Sequence, residues 1–173
     1  LYLSGEVGAA AAGLDLLVNP DSPFLALDES ERQACIRRYN VPEPRMAMAE
    51  VVRIHARAAM DVSDGLIGDA DKMVTASGCT GTINLEDVPL PAGLGDPALA
   101  DQAASLITGG DDYEILASVP REAEEAFVRA SSAKGISVSR IGELAQGEGL
   151  VQVMQNGRPM ALGDRRAYIH RNS

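Results

Sequence analysis

The chain has 173 residues, 46% of them hydrophobic and 23% charged, the proportions of an ordinary globular domain and not of a disordered or fibrous one. Its 15 Lys and Arg face 25 Asp and Glu, a formal net charge of −10 that excludes long-range attraction to nucleic acid or anionic lipid. Cys35 and Cys79 have no paired spacing, no apolar run approaches the roughly 20 residues of a membrane span, and no export signal is present, so a soluble cytoplasmic protein is expected.

Leu1 to Ser4 reads as a strand running into a glycine turn, and a chain that opens inside an element is expected to be a piece of a longer one. Val7, Ala10, Ala11, Leu14, Leu17 and Val18 recur at helical spacing until Asn19-Pro20. Asp28 followed by Glu31 predicts a capping-box start for a helix to about Tyr39, and Pro42 and Pro44 separate it from another over 45–56. Ala59 to Val62 is a short strand feeding a loop. In the next helix Leu66, Ile67, Ala70, Met73 and Val74 form one stripe, Asp69, Asp71, Lys72 and Thr75 are expected to face away, and Gly78 ends it.

Cys79 to Leu85 alternates as a half-buried strand, and the Pro- and Gly-rich stretch 89–95 is a loop. Asp96-Pro97 opens a short helix that ends at Thr108-Gly109-Gly110, Tyr113 to Val119 alternates as a strand, and Phe127 marks the apolar side of the helix after it. Strands are expected over 136–141, 150–154 and 158–162, with a hairpin at Asn156-Gly157. The whole reads as one α/β (α+β) domain, residues 1–173, a mixed sheet with helices packed on it and an irregular tail over 163–173.

Two acidic turns are the candidates for chemistry. Asp61-Val62-Ser63-Asp64-Gly65 sits at a strand-to-helix junction, where two carboxylates supply the hard oxygens that Mg²⁺ selects and helix amides add donors for an anion. The plainer reading makes Ser63 or Asp64 an N-cap and Asp61 a solvated strand end. Gly109-Gly110-Asp111-Asp112-Tyr113-Glu114 crowds three carboxylates into four positions. Like charges ~4 Å apart repel by about 4 kcal/mol at an effective dielectric near 20, so either a cation is close or the side chains splay into water. Ser4-Gly5-Glu6-Val7-Gly8 looks like a phosphate turn but lacks the P-loop lysine, and a structural turn is expected. His55 and His170 have no partner spaced for a metal, and Ser63 has no nearby base for nucleophilic catalysis.

LYLSGEVGAAAAGLDLL, MDVSDGLIGDADKMVTASGC, INLEDVPLP and ITGGDDYEILASVP occur in an order that resembles the C-terminal domain of the thiamine-monophosphate kinases, within the aminoimidazole ribonucleotide synthetase superfamily. The resemblance implies an ATP-dependent phosphoryl transfer to thiamine monophosphate giving thiamine diphosphate, with ATP as co-substrate and Mg²⁺ as cofactor. It implies Asp61 and Asp64 as metal ligands, Ser63 as an ATP contact, and Asp111 and Tyr168 as substrate contacts. Asp111 stands where the family usually has Glu, and the tail around Tyr168 does not align cleanly. No side chain is expected to act as a covalent or general-base catalyst, because an ionised phosphate acceptor needs alignment and charge neutralisation. The resemblance also implies a homodimeric complete enzyme and an N-terminal metal-binding domain absent from this chain, which alone is expected to be nearly inactive. The alternatives are another ATP-dependent enzyme of the superfamily, of the aminoimidazole ribonucleotide or selenophosphate synthetase type, or an acidic module without a site.

Overall fold

In the computed structural model residues 1–162 and 166–167 are described; the expectations placed on Tyr168, His170 and most of the 163–173 tail lie outside them. In chain order the elements are β1 (Tyr2–Ser4), α1 (Ala9–Val18), α2 (Glu29–Asn40), α3 (Ala49–His55), β2 (Ala58–Val62), α4 (Leu66–Ser77), β3 (Cys79–Asn84), α5 (Ala103–Thr108), β4 (Glu114–Ser118), α6 (Glu124–Ala133), β5 (Val138–Arg140), β6 (Gly142–Gln146), β7 (Gln152–Gln155) and β8 (Arg158–Pro159). Short 3-10 turns join several of them.

Local chemistry sets the ends of these elements. At the start of α2 the Asp28 carboxylate accepts from the Glu31 amide at 2.8 Å, and the Glu31 carboxylate accepts from the Asp28 amide at 2.9 Å, the reciprocal box that the sequence predicts. Asn156 and Gly157, with φ of 50° and 70°, make the tight turn between β7 and β8.

The expected mixed α/β architecture is present, with the strands divided between two four-stranded sheets. The first is antiparallel, in the order β2-β4-β1-β5. The second, β6-β3-β7-β8, is mixed because β3 and β7 run parallel. Leu3, Val62 and Leu116 from the first sheet, Ile83 and Val153 from the second, and the whole Leu66, Ile67, Ala70, Met73, Val74 stripe of α4 form one buried cluster. Helix α4 is thus packed against both sheets, and each fully buried Leu or Ile in it contributes about 1.5–3 kcal/mol. Tyr2 and Ala117, on the opposite face of the first sheet, meet Met48, Val51 and Phe127 from the segment around α3 and from α6.

Four expectations need correction, the first being that the strand expected over 158–162 ends at Pro159. Asp69 and Asp71 of α4 do not face away: both are buried. The Asp71 carboxylate accepts from the Val151 amide at 2.9 Å and from Arg166 at 2.6 and 3.0 Å, while Arg166 also donates to the Val151 carbonyl at 2.6 Å, so each of the three groups holds the other two. The helix expected over 45–56 begins as a 3-10 turn, Met46–Met48, and is α-helical only over Ala49–His55, while Arg45 before it enters an ion pair described below. The strand expected over 136–141 is shortened to β5, and β6 follows it unexpectedly, its one large apolar side chain, Leu144, packing on the core between the exposed Glu143 and Ala145. Among the described residues no helix is long and apolar enough to cross a membrane.

Candidate functional site

Strand β2 delivers Asp61 to the surface, and the chain then turns through Ser63, Asp64 and Gly65 into α4. Gly65 has φ of 101°, and a Cβ there would lie 2.5 Å from the Thr108 carbonyl oxygen, so the turn requires glycine. Neither Ser63 nor Asp64 caps the helix; Gly65 occupies the capping position without a side-chain bond. The bend is organised instead by Asp69, one turn into α4 and 0% exposed. One of its carboxylate oxygens accepts from both the Ser63 and Asp64 amides, at 2.8 and 2.9 Å. Its other oxygen accepts from Lys72 Nζ at 2.7 Å, and Lys72 also donates to Asp64 at 2.5 Å. Hydrogen bonds to Asp64 and then Asp69 hold the ammonium above the ordinary lysine range.

The second acidic turn lies directly alongside. Antiparallel pairing of β2 with β4 sets Asp61 opposite Ile115 and Val62 opposite Glu114. Past the ladder the Tyr113 amide donates to the Val62 carbonyl at 2.8 Å, and the Asp111 amide donates to the Ser63 carbonyl at 2.9 Å. Gly110 packs so closely on that carbonyl that a side chain would overlap it. Asp111 and Tyr113 have φ of 70° and 53°, a left-handed conformation that a tyrosine rarely adopts and that persists here because the surrounding bonds over-determine it. The charge of Asp111, burial, a hydrogen bond to Asp111, and the charges of Asp61 and Asp64 all push the Tyr113 phenol up. The two acidic bends therefore adjoin through these backbone bonds, with Asp111 held against the Ser63 carbonyl.

The other two carboxylates of that turn point inward. Asp112, 0% exposed, accepts from the Gly8 and Ala10 amides at 2.8 and 3.3 Å, at the N-terminus of α1. Burial pushes its carboxyl up to about 7, opposed by those two amides and by Arg38. The glycine-rich turn over 4–8 is structural, as expected, since an internal carboxylate fills the place an anion would take. Glu114, also 0% exposed, accepts from Arg38 at 2.5 Å, from Arg45 at 2.7 and 2.9 Å and from the Ser4 hydroxyl at 2.6 Å. Arg38, Arg45, Asp69 and Lys72 were not singled out by sequence. Only Asp69 and Lys72 left a local signal, an i,i+3 pair at a helix start.

Among the described residues no group of three or more His, Cys, Asp or Glu is arranged to hold a metal. Mg²⁺ is usually held by one or two carboxylates together with water and phosphate oxygens. The exposed Asp61 and the half-exposed Asp64, an all-oxygen pair, fit that demand. A cavity of about 360 Å³, lined by Met46, Met48, Val52 and Met60, opens beside Asp61 and Tyr113. A larger one, about 520 Å³, is lined by Arg38, Arg45 and Glu114 and touches none of Asp61, Asp64 and Asp111.

Fold and site together define a two-sheet α/β domain that presents paired acidic bends at a helix N-terminus. The family model of AIR synthase related protein, C-terminal domain, matches residues 17–154, and the chain belongs to that family. It is 43% identical over 138 residues to a thiamine-monophosphate kinase of Caulobacter vibrioides, covering 75% of this chain and 39% of that protein. The crystal structure of thiamine-monophosphate kinase from Stenotrophomonas maltophilia K279a superposes with a TM-score of 0.78 at 27% identity, over 92% of this chain and 50% of that one. AaThiL complexed with AMPPCP and TMP gives 0.73 at 27% identity, over 98% and 50%. The chain thus spans about half the length of these proteins or less.

Proposed function

We propose that this chain is the C-terminal part of an enzyme that transfers a phosphoryl group from ATP to thiamine monophosphate, yielding thiamine diphosphate and ADP. The observation that carries the reading is the backbone pairing of the 61–65 and 110–114 bends, which sets Asp111 against the Ser63 carbonyl on backbone strained at Asp111 and Tyr113. The relatives named thiamine-monophosphate kinase and the complex holding AMPPCP, an ATP analogue, with TMP support it.

In this reading Asp61 and Asp64 hold Mg²⁺, which when bound neutralises phosphate charge between donor and acceptor. Ser63, its backbone fixed by Asp69 and Asp111, presents its hydroxyl to ATP at the mouth of the bend. Asp111, held left-handed against the Ser63 carbonyl, contacts the acceptor from the second bend, and Tyr168 is assigned a further contact with the acceptor. The apolar cavity beside Asp61 and Tyr113 suits an acceptor that joins a ring system to a phosphate. No residue of the chain needs to take a proton from an acceptor oxygen that is already ionised, so catalysis is alignment and electrostatics. The complete enzyme is a homodimer, and its N-terminal domain supplies the rest of the ATP and metal site.

The test is substrate-dependent ADP release by the complete two-domain protein with Mg²⁺. Turnover with thiamine monophosphate that falls at least about a hundredfold in Asp61→Asn supports the reading. Turnover only with substrates of aminoimidazole ribonucleotide or selenophosphate synthesis, or none at all, would overturn it.

A further inference from the structure

We infer that Lys72 is a resident counter-cation of the acidic bend, holding the place at Asp64 that a divalent cation takes when nucleotide binds. This rests on the reading of Asp64 as a metal ligand. Lys72 Nζ bridges Asp64 at 2.5 Å and the fully buried Asp69 at 2.7 Å, so one ammonium is shared by two carboxylates. Asp69 cannot leave its position, because its second oxygen accepts from the Ser63 and Asp64 amides. Asp64, by contrast, is 36% exposed and Lys72 51% exposed, so their contact can open toward solvent.

The two bonds of Lys72 therefore have different roles. The bond to Asp69 is a hinge: when a cation arrives at Asp64, the ammonium turns aside without losing its buried partner, and the bend keeps its shape. The bond to Asp64 is the part that is exchanged. Without Lys72 the bend would hold Asp64 and Asp69 close together with no positive charge between them, at a repulsive cost that destabilises the metal-free state. An ammonium that occupies a ligand also competes with the metal for it, so it sets the Mg²⁺ concentration at which the site fills.

The experiment measures binding of a non-hydrolysable ATP analogue to the complete protein across a Mg²⁺ titration, for wild type, Lys72→Met, Lys72→Arg and Asp64→Asn, with melting temperatures in EDTA. Lys72→Met is expected to melt below wild type in EDTA and to lower the half-saturating Mg²⁺ concentration about fivefold, the scale of an exposed ion pair. Lys72→Arg is expected to stay near wild type. Analogue affinity that falls in Lys72→Met equally at every Mg²⁺ concentration would make Lys72 a phosphate ligand and overturn the inference, as would an unchanged Mg²⁺ midpoint. If Asp64→Asn leaves the Mg²⁺ midpoint of wild type unmoved, the assignment of Asp64 as a metal ligand fails as well. A raised midpoint in Asp64→Asn with no change in Lys72→Met sinks the Lys72 role alone.

Discussion

The two acidic bends are built from the same residue types and lie against each other, yet they use their charges in opposite ways. In the 61–65 bend the carboxylates face solvent and are ordered by a buried residue from the following helix, Asp69. In the 110–114 bend two of three carboxylates are internal: Asp112 binds the start of α1, and Glu114 gathers Arg38, Arg45 and Ser4 beneath the strand. One bend is a presented surface and the other is mostly framework, with Asp111 as its one outward group. Carboxylate density in a sequence therefore does not measure how many carboxylates are available to a ligand; the partners in space do.

This contrast predicts a gradient of stability effects. Glu114→Ala strands two largely buried arginines and is expected to cost about 3–5 kcal/mol in urea denaturation, the scale of a broken buried ion pair. A loss below about 1 kcal/mol would mean that the arginines find water. Gly65→Val forces a side chain against the Thr108 carbonyl from a left-handed backbone, and a loss of about 3 kcal/mol is expected together with weaker nucleotide binding, because the two bends are pushed apart.

Asp112 gives a pH signature. Its folded pKa, about 7, lies above the unfolded value near 3.8, so its favourable contribution is complete below the unfolded pKa and is lost as pH rises through the folded one. Between pH 5 and pH 8 the wild type is expected to lose on the order of 2 kcal/mol more than Asp112→Asn in paired denaturation curves. Parallel curves would show that the carboxylate is already ionised at pH 5. Asp69→Ala leaves the Ser63 and Asp64 amides without acceptors and is expected to cost about 2 kcal/mol, with raised Mg²⁺ demand. Smallest is Asp61→Asn, an exposed change expected to move stability by less than about 0.5 kcal/mol while weakening Mg²⁺-dependent nucleotide binding.

Much of this arrangement is legible before any coordinates. The α4 stripe, the capping box at Asp28, the Asn156-Gly157 turn and the two acidic turns are local patterns, encoded within a few residues. What escaped is non-local. Asp71 sits on α4 where a wheel places solvent, and it is buried only because the Val151 amide and Arg166, 80 and 95 residues away, come to it. Arg38 and Arg45 look like surface charges of α2 and a linker, and their role exists only once β4 brings Glu114 between them. Strand β6 offers a single large apolar side chain, Leu144, too little for a period to be read, and its pairing is imposed by β3.

The account stands on the two bends acting as one ligand-binding face. A double-mutant cycle between Asp61→Asn and Asp111→Asn, read as Mg²⁺-dependent binding of thiamine monophosphate to the complete protein with an ATP analogue present, tests this most directly. Coupling of about 1 kcal/mol or more between the two changes is predicted, whereas strictly additive losses would show that the bends serve separate sites.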